Sequence, residues 1–358
     1  MVAEQARDAS VRHSVLLRLG EHYDFQAAQR IAISNIFEQS MKDPTKLIAV
    51  SWDKMDQLKT IVPRVQALSH TSFQKQGARI VVALFGVHAP CLWKRPLFYT
   101  VFKDREQGSD MVVGILWDVL LEAARSQGVL PRRFFIQADN TAKETKNTIV
   151  LGAAVWVLAQ LQYTCLTSIE FGFLIVGHTH DIVDAIFAYV GAALRGRDIL
   201  SVPQMFTALE AHMKNPPMWK HLRDVFAFRD EQPSFLSSDT VKGVASPHHI
   251  RLFWSTDGSI SVQSKKWMTS LDWSDPFVIA DPSQVRELQG TWPSLTHPEW
   301  SESDVSSGLE WLRKLRALLE AGGPCKYKLG RTGEWGASSG GGASLRDRWR
   351  APIGAMLV

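Results

Sequence analysis

The feature that most constrains this chain is a hydrophobic period that switches repeatedly between residues 46 and 196. Three short apolar runs come first, "KLIAVSWD" (46–53), "RIVVALFGV" (79–87) and "PLFYTVF" (96–102), with no helical pattern between them. Their length and their content of β-branched and aromatic residues predict strands. From 110 onward the period alternates. "DMVVGILWDVLLEAARSQG" (110–128) places Val113, Leu116, Trp117, Leu120 and Leu121 on one helical face, with Asp110 as the expected N-cap and Gly128 as the stop. Strand "RFFIQAD" (133–139), helix "KNTIVLGAAVWVLAQLQ" (146–162), strand "EFGFLIV" (170–176) and helix "IVDAIFAYVGAALRG" (182–196) follow. The order βββαβαβα implies an α/β fold with a mixed sheet flanked by helices on both faces, since parallel strands need crossovers and crossovers put helices on the faces.

Around this core (46–200) the sequence predicts an N-terminal helical segment (1–45), apolar at helical spacing from Val15 to Phe37, and a C-terminal α+β extension (201–321). The extension contains a helix over 203–215, a hairpin over 249–267 turning at Asp257-Gly258, and an amphipathic helix over 304–321. It is expected to lie along one edge of the sheet. The tail, 322–358, is rich in Gly and Ser and is expected to be disordered. It carries six basic residues against two acidic ones, so the net charge of +4 resides there and the body is neutral overall. A nucleic-acid partner would therefore be gripped by local patches or the tail.

Composition excludes several classes. Three scattered cysteines, Cys91, Cys165 and Cys325, make neither a disulfide framework nor a Cys-x-x-Cys metal site. No apolar run has the length of a membrane span, and the N-terminus lacks a signal-peptide core, so a soluble, non-secreted intracellular protein with no membrane partner is expected. P-loop and Gly-x-Gly-x-x-Gly patterns are absent, which leaves a nucleotide cofactor without support.

Three aspartates fall where ligands collect in such a sheet. Asp53 ends the first strand, Asp139 ends the fourth, and Asp184 lies in the first turn of the helix after the fifth. Carboxylates converging there repel one another unless a cation intervenes, and hard oxygen donors suit Mg2+ or Mn2+. Each acid also has an ordinary reading. Asp181 and Asp184 could cap a helix and favour its dipole, Asp139-Asn140 could be a turn, and Asp53 and Asp56 could be solvated loop charges.

Three stretches, "SWDKMDQLKTIVPR" (51–64), "QADNTAKETKN" (137–147) and "VGHTHDIVDAIF" (176–187), resemble a transposase-derived domain family. Its motifs read D-G-M-D-Q, D-N-x-x-x-E-x-K-N and G-H-T-H-x-x-x-D, and the resemblance runs from about residue 10 to 280. Order and acid placement together resemble the ribonuclease H-like fold of transposases and retroviral-type integrases. The resemblance implies Asp53, Asp139 and Asp184 as a catalytic triad holding two Mg2+ or Mn2+ ions for cleavage or strand transfer on DNA, with Asp56 in reserve as the first acid. Asn140, Glu144, Lys146, Asn147, His178 and His180 are then expected to support the metal ligands or contact phosphate. DNA as partner, a homo-oligomer and a nuclear location are further expectations. Two other readings stay open: an inactive domesticated remnant that binds DNA or protein without chemistry, and a zinc hydrolase built on His178-x-His180. The second lacks the acid and histidine that should follow, since Ile182 and Val183 stand there.

Overall fold

The computed structural model describes residues 9–56, 59–62, 64, 80–102, 108–139, 146–173, 182–199, 201–222, 225–236 and 246–294. Along the chain these form α1 (Ala9–Lys42), β1 (Leu47–Lys54), the short β2 (Ile61–Val62), β3 (Ile80–His88), β4 (Leu97–Phe102), α2 (Ser109–Gln127), β5 (Arg133–Ala138), α3 (Thr148–Gln160), β6 (Ser168–Phe173), α4 (Ile182–Leu194) and α5 (Val202–His212). Then come β7 (Met218–His221), α6 (Phe228–Glu231), β8 (His249–Trp254), β9 (Ile260–Lys265), β10 (Phe277–Ala280) and α7 (Pro282–Leu288). The fold is mixed α/β. Its sheet runs β10-β9-β8-β6-β5-β1-β3-β4-β7, with β2 paired to β3 off this path. β1 pairs antiparallel with β3 and β3 antiparallel with β4, whereas β5 is parallel to both β1 and β6.

Strand alternation sorts the core into two faces. Even positions of β1 (Ile48, Val50, Trp52) join Phe134 and Ile136 of β5 under α2 and α3. Odd positions (Leu47, Ala49) join Phe135 and Ile33 of α1 on the opposite face, where α4 and α5 also pack against Val82, Leu84 and Phe98. α3 is apolar on every side, a pattern that demands burial all round. It is met by the sheet below, α2 beside it, and α6 and α7 outside, with Trp156 Nε1 donating to Thr291 O at 2.8 Å. On the other face Gln29 of α1 accepts from Met268 N at 2.8 Å, and buried Ser40 accepts from Ala49 N at 2.9 Å, fixing the long helix across the sheet.

Two expectations need correction. Asp110 does not cap α2: Gly108 takes that position without a side-chain bond, and Asp110 is buried within the first turn, where it accepts from Arg229 N at 2.8 Å and ties α6 to α2. The expected stop holds, with Gly128 at φ 72°, a conformation that favours glycine. The C-terminal extension does not merely lie along an edge. β8 pairs with β6 and carries β9 and β10 with it, while β7 pairs parallel with β4 at the far side, so the extension lengthens the sheet at both ends. The helix expected over 304–321 and the tail lie outside the described residues.

Among the described residues, no helix is long and apolar enough to cross a membrane.

Candidate functional site

The strand register itself brings two of the acids together. β1 and β5 run parallel with Ser51 opposite Gln137, so two residues further along each strand Asp53 stands level with Asp139, and alternation gives both the face of the sheet that carries α4. On the other flank of β1, Asp53 is paired with Gly86 of β3. That glycine sets how close α4 comes. A Cβ at Gly86 would lie 2.7 Å from Val183 Cγ1, 3.0 Å from Phe98 Cε1 and 3.3 Å from Phe187 Cζ. The bare backbone thus forms the seat for the first turn of α4, in which Asp184 follows Val183.

Asp184 consequently shares a side-chain hydrogen bond with Asp53, and Asp139 adds its field from the neighbouring strand. Burial, then the charge of Asp184, then that of Asp139 push the Asp53 carboxyl up to about 8, against the pull of a 2.8 Å hydrogen bond from Lys54 N. Such a carboxyl keeps its proton at neutral pH. Asp56, the reserve first acid, is exposed beyond the end of β1. Among the described residues, no three His, Cys, Asp or Glu side chains stand close enough together to form a ready-made ion site.

Lys146 lies seven residues beyond Asp139, immediately before α3. The residue is 4% exposed, its Nζ sits 4.9 Å from the centre of the Phe173 ring, and the amine has no hydrogen-bond partner among the described residues. Burial lowers its pKa to about 8. Asn147 is committed to the fold: its Oδ1 accepts from Val150 N at 3.0 Å as the N-cap of α3, and its Nδ2 donates to Ser109 Oγ at 3.0 Å. Asn140, Glu144, His178, His180 and Asp181 lie outside the described residues.

Sequence reasoning passed over Gly86 and a second polar cluster on the same sheet face. In that cluster Glu170 of β6 is buried at 1% side-chain exposure, receives Arg133 Nε at 2.9 Å and Arg133 Nη2 at 3.1 Å, and is 3.2 Å from His249 Nε2. Burial pushes the Glu170 carboxyl upward, but the hydrogen bonds from His249 and Arg133 outweigh it and hold the group at about 2. A signal was present in "SIEFGF", where a lone carboxylate interrupts an otherwise apolar strand. The His248-His249 pair holds structural contacts, since His248 Nδ1 lies 2.9 Å from Phe173 O and its ring stacks 4.4 Å from Trp267.

Residues 74–270, more than half of the chain, match the family model described as a domain of unknown function, DUF7869. That span contains Asp139 and Asp184 but begins after Asp53. No curated protein matches the chain.

Proposed function

The chain belongs to the DUF7869 family, and we propose that its three aspartates form a divalent-metal site for cleavage or strand transfer at a DNA phosphodiester, on a transposase-derived, ribonuclease H-like core. One observation carries this reading: acids from three separate elements, β1, the end of β5 and the first turn of α4, meet electrostatically on one face at the carboxyl ends of parallel strands. Structural ion pairs also draw charges together, but they pair opposite signs. A cluster of like charges partly shielded from water opposes folding, and a bound cation would offset that cost. The five central strands, β4-β3-β1-β5-β6, supply the antiparallel meander and the parallel pair that the reading calls for.

The donor set fits magnesium or manganese, both of which favour carboxylate oxygens and keep several waters. When bound, such ions supply Lewis-acid activation of an attacking water or 3′-hydroxyl and stabilise the leaving oxygen. The chain's own contribution is positional. Asp53 and Asp139 are fixed by the register of two central strands, and Asp184 is delivered by a helix seated on Gly86. Lys146, an amine held out of water over the Phe173 ring at the end of β6, would offer a positive charge to a phosphate oxygen of the scissile strand.

The test is manganese-dependent nicking or strand transfer on a panel of DNA substrates by wild type, Asp139→Asn and Asp184→Asn. Cleavage by wild type that both substitutions abolish is expected. Cleavage that survives both removes the triad, and DNA binding without cleavage by wild type favours the inactive remnant.

A further inference from the structure

A cavity of about 510 Å³ opens on the α1 face of the sheet, lined by Arg133, Glu170, His249, Arg251, Lys265 and Trp273 with the flank of α1 as its wall. It lies far from the acid cluster: Arg133 starts β5 and Asp139 follows its end, a separation of about 20 Å along a strand at roughly 3.3 Å per residue. Three cationic side chains face one carboxylate here. Glu170 is already neutralised by its two bonds from Arg133, which leaves Arg251 and Lys265 as surplus positive charge.

Both surplus cations are held in place. The Arg251 guanidinium sits 4.8 Å from the Phe253 ring centre and 4.7 Å from that of Trp273, with Nη2 donating to Gln263 Oε1 at 2.6 Å. Lys265 Nζ lies 4.7 Å from the Trp273 ring centre and donates to Ser270 O at 3.0 Å and Leu271 O at 3.3 Å. Two of the lining residues carry a polar atom that is buried without a hydrogen-bond partner among the described residues, Arg251 Nε and His249 Nδ1. His249 is 6% exposed. Because its Nε2 must donate to the Glu170 carboxylate, the neutral ring leaves Nδ1 as a bare acceptor. Burial, the largest influence on this ring, lowers its pKa and keeps it neutral despite Glu170.

A complementary ligand therefore brings negative oxygens for the guanidinium and ammonium, and one acidic O–H for His249 Nδ1. A phosphate monoester in its monoanionic form carries both. The volume falls in the range of ordinary small-molecule sites and exceeds what a phosphate group fills, leaving room for an organic substituent beside Asn35 and Gln39 of α1. We propose that this cavity binds a small phosphate monoester, with Arg251 and Lys265 holding the phosphate and His249 Nδ1 accepting a hydrogen bond from its protonated oxygen. The proposal is independent of the metal site.

Inorganic phosphate is the minimal probe, titrated into the full chain and read by the shift in Tm and by calorimetry. Wild type is expected to show a concentration-dependent rise in Tm. Arg251→Gln and Lys265→Gln should each bind phosphate about tenfold or more weakly, as the loss of a charge-assisted hydrogen bond implies. Asp139→Asn should bind phosphate as wild type does, which separates this outcome from that of the metal site. Should either cavity variant fail to fold, protection of Lys265 from acylation by phosphate, measured by mass spectrometry on wild type, gives the same answer. Absence of a Tm shift, equal affinity in the variants, or unprotected Lys265 overturns the proposal. So does Arg251-dependent binding of an oligonucleotide without terminal phosphates in the absence of phosphate binding, which would assign the cavity to a nucleic-acid backbone.

Discussion

Replacing Gly86 by alanine tests whether the seat of α4 works as the geometry describes. The new Cβ would meet Val183 Cγ1 at 2.7 Å where ordinary contact begins at 3.4 Å, so the helix must retreat, or Val183 turn, by 0.7 Å. Turning is resisted: Val183 is fully buried and, as a β-branched residue in a helix, has one strongly preferred χ1. Overpacking of this kind costs about 1–3 kcal/mol. Gly86 has no positive φ, so without the clash alanine would stabilise the fold by about 0.4–1 kcal/mol through the unfolded chain. The two effects have opposite signs, and the steric one should win, leaving Gly86→Ala less stable by about 0.5–2 kcal/mol. Urea denaturation of Gly86→Ala, Val183→Ala and the double variant reads this directly. Removing Val183 Cγ1 and Cγ2 makes space for the added methyl, so the double variant should lose less than the two single losses combined, by about 1 kcal/mol. A Gly86→Ala protein at least as stable as wild type, or a cycle additive within about 0.5 kcal/mol, would refute the reasoning.

Two further outcomes follow from the charges. The raised carboxyl of Asp53 means the native state keeps a proton that the unfolded chain releases, so this group's contribution to stability declines as pH rises from about 4 to 8, by at most about 1.4 kcal/mol per pH unit. In EDTA, Asp53→Asn should therefore gain stability over wild type as pH rises through that window; a pH-independent difference in urea midpoints would contradict it. Glu170 has the opposite sign: its depressed pKa stabilises the fold above the unfolded value near 4.5, and the benefit is lost as pH falls toward 2. Glu170→Gln should cost about 1–3 kcal/mol at neutral pH and distinctly less at pH near 3, and an equal penalty at both would count against the network.

Most of the core was legible because its elements are short, strongly periodic and bounded by turn residues. "KLIAVSWD" and "RFFIQAD" end in the aspartates that the register sets side by side, so two positions of the candidate site follow from strand ends alone. Asp184 was legible as a first-turn acid, but its contact with Asp53 depends on Gly86, whose role exists only once α4 is packed on β3. Asp110 misled because an aspartate before an apolar run suits a cap; tertiary contact with Arg229 N claimed its side chain instead. The cavity was hidden for a similar reason. Arg133, Glu170, Arg251 and Lys265 come from four strands spread over more than a hundred residues, and only the antiparallel addition of β8 and β9 to β6 aligns them.

The central claim, that Asp53, Asp139 and Asp184 hold a divalent cation, is tested most directly by Mn2+ binding, read from the loss of the free-ion electron paramagnetic resonance signal. The account predicts saturable binding by wild type, with a proton released as Asp53 ionises, and loss of that binding in Asp53→Asn and Asp184→Asn. Mn2+ binding of equal affinity in wild type and all three single Asp→Asn variants, or no binding by folded wild type, would contradict it.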